Sequence, residues 1–217
     1  DNLKALNFLF YYSNKLNLHF LEGSFEDGVT VIPEIKKGIQ EFSNQIDPHH
    51  IMMFYYKIAC VYFGAADYEN CIVFLDKIIS NKRLKMREDL LCFSRVLNIF
   101  AHYEAGFDYH LETHLRETYK FLIKMNDLHA VQKAMIRFVR NLGDIYPHEI
   151  KSAFKELYSE LKQYENDPYE RRSFLYLDIL SWLESKIDNV PIAQIIQQKA
   201  TQLNRKERPS ISPFSAG

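Results

Sequence analysis

Glycine and proline are scarce in this chain, 7 of each in 217 residues. Sandwiches and barrels need many turns, so the shortage disfavours them and suits long helices with short connections. An excess of either charge is also lacking: 27 Lys and Arg stand against 28 Asp and Glu, for a net charge of -1. A chain that grips phosphates carries a basic surplus, so direct nucleic-acid binding is not expected. No run approaches the ~18 apolar residues of a membrane span, so no membrane partner is expected either. Cysteine is limited to Cys60, Cys71 and Cys92, with no C-x-x-C. Each lies in an apolar helical context, which predicts buried, reduced thiols in a cytoplasmic protein. No signal peptide is visible in the given residues, nor a Gly-rich phosphate loop or a G-x-S-x-G, and no cofactor is expected. The first residue is Asp1 rather than Met, which gives the expectation of a fragment or processed form.

What is present is apolar material, 47% of residues, with aromatics alone at 14%. Nearly every long segment shows helical spacing. The expected helices are Leu3 to Phe20, Phe25 to Phe42, Ile51 to Gly64, Tyr68 to Ile79, Leu90 to Tyr103, Leu111 to Met125 and Ala130 to Leu142. Proline lacks a donor and disfavours helix at the residue before it, so Pro33 predicts a kink or a fresh start. Gly143 reads as a C-cap. Pro147 and Pro168 read as first-turn prolines, with Asp167 capping the second. A last helix is expected from Pro191 to Leu203, followed by a disordered tail over 205–217.

The segments repeat. Tyr62 and Asp67-Tyr68 recur 41 positions later as Tyr103 and Asp108-Tyr109, and Ser24-Phe25-Glu26 precedes Asp67-Tyr68-Glu69 by 43. A helix, a tight turn with a polar-aromatic pair and a second helix thus occur three times. Self-similarity at such a period marks stacked helix pairs, each burying an apolar face against its neighbour. Ala59 and Cys71 are small enough for close helix approach, with Tyr55 and Tyr62 filling the space around them.

Residues 51–81 resemble a tetratricopeptide repeat. Tyr55 stands at the Trp of that pattern, Ile58-Ala59 at Leu-Gly, Tyr62 at the Tyr, Cys71 at the Ala and Leu75 at the Phe. The terminal proline is absent, and Phe100 stands where the third repeat wants a small residue. The resemblance implies an all-α, right-handed superhelix of antiparallel pairs over 1–125, with 126–204 as a helical continuation or cap. It also implies a non-catalytic module that holds a peptide or partner helix in a concave groove. Carried over by position, the groove residues are Met53, Tyr56 and Cys60, then Phe10, Ser13 and Asn17 before them, and Leu97, Ala101 and Glu104 after. A ligand-sensing regulatory domain of a larger signalling or transcription-regulatory protein is the alternative. A helical metal-dependent hydrolase is the third reading.

Two further patterns carry chemistry. Lys133, Arg137 and Arg140 share one face of a helix, opposite Val131, Met135, Phe138 and Leu142. Converging cations hold carboxylates through directional, charge-assisted bonds, so the partner expected for them is acidic. A solvated helix face shows the same pattern. His110 and His114 are spaced for one metal face, but Glu112 falls at the wrong offset for a His-Glu-x-x-His protease. Only His102 is close in sequence as a third ligand, so no metal site is expected. Trp182 reads as a core residue.

Overall fold

A computed structural model describes residues 2–81, 88–106, 108–124, 130–170 and 178–207; at 88, 108–112, 143 and 204–207 it describes the backbone alone. All regular structure among these residues is helical. In chain order the α-helices are α1 (Asn2–Glu22), α2 (Phe25–Glu41), α3 (Pro48–Gly64), α4 (Tyr68–Ile79), α5 (Glu88–Glu104), α6 (Asp108–Ile123), α7 (Ala130–Asn141), α8 (Ile150–Lys162), α9 (Ile179–Asp188) and α10 (Ile192–Glu207). A 3-10 turn, Leu142–Asp144, follows α7 and takes in Gly143. Among the described residues, no helix is long and apolar enough to cross a membrane.

Local chemistry sets several helix ends. Asp47 caps α3 by accepting from the His49 amide at 2.7 Å, with Pro48 in the first turn, where its missing N–H costs nothing. Asp67 caps α4 through Asn70 N at 3.2 Å, and Asp178 caps α9 through Ser181 N at 3.0 Å. Pro33 does not restart a helix: α2 runs through it. Pro33 is exposed while Val31, Ile32, Ile35 and Ile39 are buried, so packing of the apolar face holds the helix across it. Pro147 lies in the turn before α8 rather than in its first turn. Asp167 accepts from Tyr169 N and Glu170 N at 2.8 and 3.1 Å, as a cap should. The helix expected beyond Pro168, and the tail over 208–217, lie outside the described residues.

Successive helices from α1 to α6 pack pairwise, and α3 also touches α1 and α5. The centre is α3 between α2 and α4, where Ile58, Ala59, Val61, Cys71 and Leu75 are fully buried. Tyr55 and Tyr62 both pack on Phe74, with ring centroids 5.7 and 5.8 Å away. Tyr68, the aromatic after the turn, meets Phe63 edge-on at 5.5 Å and so ties α4 to α3.

The C-terminal helices return to this array. Trp182 of α9 lies 4.3 Å, centroid to centroid, from Phe100 of α5 and donates to Glu104 Oε1 at 2.8 Å. Lys186 reaches the other oxygen of the same carboxylate at 2.5 Å. Phe100 thus departs from the small-residue pattern because it supports a C-terminal tryptophan. The last helix, α10, packs on the first, and Gln197 donates to the Gly23 carbonyl at 3.1 Å. The two ends of the described chain are therefore in contact.

Candidate functional site

The residues carried over as groove-lining divide into four sets. Tyr56, Cys60, Leu97 and Ala101 are buried, so none of them offers a surface to a ligand in this fold. The Tyr56 hydroxyl is bonded toward the Cys60 thiol one turn on; burial nonetheless pushes that thiol up to about 12 and leaves it un-ionised and a poor nucleophile. Glu104 is committed to Trp182 and Lys186, and Ser13 to Lys57, whose Nζ donates to its Oγ at 2.5 Å. Met53 is half-buried. Only Phe10 and Asn17, both on α1, stand exposed.

The basic stripe is on the surface. Lys133, Arg137 and Arg140 are exposed on α7, while Val131, Met135 and Phe138 on its other side, and Leu142 just past its end, are buried. Arg137 is partly spoken for, because its guanidinium bonds the Glu160 carboxylate of α8. No carboxylate among the described residues pairs with Lys133 or Arg140.

This stripe borders an open apolar groove between α5, α6 and α7, of about 390 Å³. Val96 and Ile99 of α5 form its floor, with Leu115 and Tyr119 of α6 on one wall and Met135, Ile136 and Val139 of α7 on the other. Past Tyr119 it continues as a shallower shelf of about 220 Å³ that adds Ile123, Lys133 and Arg137. Arg116 and Arg140 stand on opposite sides of the groove, and the Arg140 guanidinium lies 6.0 Å from the centre of the Tyr119 ring. Four cations thus rim an apolar channel: Arg116 from α6, and Lys133, Arg137 and Arg140 from α7. The acidic group nearest in sequence is Glu117, which acts on the Arg95 side, where Arg95 lies 4.6 Å above the Phe121 ring.

A remote carboxylate steadies α7. Glu170 accepts from the amides of Ala130 and Val131 at 2.7 and 3.1 Å, capping the helix start and opposing its dipole. That fixes the rotation of the helix and so the direction of the stripe.

Sequence reasoning missed Arg116 and Tyr119. The available signal was Tyr119 and Ile123, two large apolar residues one turn apart that α6 does not bury. His114 stacks on His102 with ring centroids 4.3 Å apart, while the side chain of His110 lies outside the described residues. Among the described residues, no three His, Cys, Asp or Glu side chains are placed to hold a metal. The chain matches no family model, no curated protein and no solved structure.

Proposed function

We propose that the protein is a non-catalytic interaction module, built of tetratricopeptide-like helix pairs in a right-handed superhelix, that binds an acidic amphipathic segment of a partner protein. The binding surface is the groove between α5, α6 and α7 rather than the face of the first helices, because Tyr56, Cys60, Leu97 and Ala101 there are buried. The observation that carries this reading is the combination of an apolar floor with four cations on its rim. A helix with apolar anchors one turn apart would fill the channel past Tyr119, and Glu or Asp on its flanks would meet Arg116, Lys133 and Arg140. Apolar burial supplies affinity, and the rim charges supply orientation, approach rate and salt sensitivity.

The test uses two fluorescent helical peptides with the same Leu anchors, one flanked by Glu and one by Lys. The Glu-flanked peptide should bind and weaken as salt rises, and the Lys-flanked one should not bind. Lys133→Glu with Arg140→Glu should weaken binding at least tenfold, since a charge-assisted contact contributes roughly 1.5 kcal/mol or more. Equal binding of both peptides ends the proposal. Arg137→Glu is a poorer choice, because it sets a carboxylate against Glu160.

One observation favours the ligand-sensing alternative. A groove of about 390 Å³ with apolar walls and two guanidinium groups at its mouth also fits a small amphiphilic anion. A medium-chain fatty acid that raises the melting temperature, with no peptide binding, would select that reading.

A further inference from the structure

The outward face of α1 carries exposed apolar side chains along its length, with Asn7, Asn14 and Asn17 between them. Leu3, Phe10 and Leu21 are 71%, 67% and 71% exposed. At 3.6 residues per turn they fall within about 20° of one line on the helix. Leu6 and Leu18 flank that line on either side, each about half exposed. The opposite side of α1 is satisfied, with Ala5, Phe8 and Leu16 buried against the rest of the molecule. Exposed apolar side chains gathered on one helix face mark a contact surface.

The two ends of this face match when it is read in either direction, while Phe10 falls opposite Asn14 near its middle. About a two-fold axis near Tyr12 and Ser13, Leu3 of one copy falls opposite Leu21 of another. Antiparallel helices also bring like flanks together. Lys4 and Glu22 lie on one and the same flank, so Lys4 of each copy meets Glu22 of the other. On that flank, too, Tyr11 of one copy comes beside Lys15 of the other, the two types of side chain that already approach to 5.7 Å within one copy. Lys4 and Glu22 are exposed, and neither makes an ion pair with any described residue.

We infer that a second copy of this chain docks on the outward face of α1, forming an antiparallel two-fold helix pair through Leu3, Phe10 and Leu21, with reciprocal Lys4–Glu22 ion pairs. A two-fold contact of this kind is self-complementary and closes on itself, so assembly stops at the dimer.

Sedimentation velocity of the chain should give a concentration-dependent dimer, and Phe10→Glu should give a monomer with an unchanged circular dichroism spectrum. Lys4→Glu and Glu22→Lys alone should each weaken the dimer, roughly fivefold in Kd, because each replaces two attractions by two repulsions. The double variant Lys4→Glu/Glu22→Lys should restore it. An equimolar mixture of Leu3→Cys and Leu21→Cys proteins should form a disulfide between unlike chains, since the three native cysteines are buried. A monomer at every concentration, or a dimer indifferent to Phe10→Glu, overturns the proposal. A double charge variant as weak as the singles overturns the antiparallel arrangement.

Discussion

Burial decides what single side chains can do here, and Cys60 is the clearest case. Its thiol ionises at about 12 in the folded protein against an ordinary 9.0, because the core does not solvate a thiolate. Cys71 is shifted in the same direction by the same cause. Between those two values the unfolded chain has lost a proton that the folded chain keeps. Raising the pH therefore favours unfolding: the contribution is whole below 9.0 and lost as pH climbs toward about 12. The urea midpoint should fall across that window and fall less in Cys60→Ala, and native protein should resist thiol reagents at neutral pH. A midpoint flat with pH would contradict the burial. The same residue shows the limit of pattern transfer: a repeat pattern gives Cys60 a position on a helix but not its surroundings.

At the level of elements, close approach between helices depends on residues without bulk. Phe25, at the start of α2, lies over Gly64 at the end of α3, so a β-carbon added there would come within 2.4 Å of the Phe25 ring. Gly64→Ala should cost about 1–3 kcal/mol in chemical denaturation, as overpacking does. A cost near zero would mean that α2 and α3 slide freely. The helices themselves were legible because their cause is local. The span Tyr68–Ile79 is found where its apolar period predicts it, and the stripe Lys133, Arg137 and Arg140 faces outward because Val131, Met135 and Phe138 must face in. The groove was not legible. It needs Tyr119 of α6 beside Ile136 of α7, and no pattern within either helix states that they meet.

At the level of the molecule, the contact between the first and last helices is the feature that joins the ends. Gly23 sits at φ +66°, a conformation that side chains disfavour, and a β-carbon there would lie 2.8 Å from the Ala193 carbonyl oxygen of α10. Gly23→Ala should therefore loosen the junction twice over, by backbone strain and by collision. Hydrogen exchange should speed up in α1 and α10 together while α3 and α4 stay protected. Loss of protection confined to α1 would show that the two ends are independent. The Glu104 carboxylate, held by Trp182 and Lys186, should keep α9 on α5 in that variant, because it lies at a separate contact.

The sequence by itself determined the helical character of the described residues, nearly all their helix boundaries to within a few residues, three buried thiols and a cationic face on α7. Each of these follows from the periodicity of apolar residues, from caps a few positions away, or from the absence of turn-forming residues. Only the tertiary structure decided that Tyr56 lies inside, that Phe100 serves Trp182, that Glu170 caps α7 from 40 residues away, and that α10 closes on α1. Those outcomes rest on contacts between distant segments, whose partners are fixed by shape and burial in three dimensions rather than by spacing along the chain.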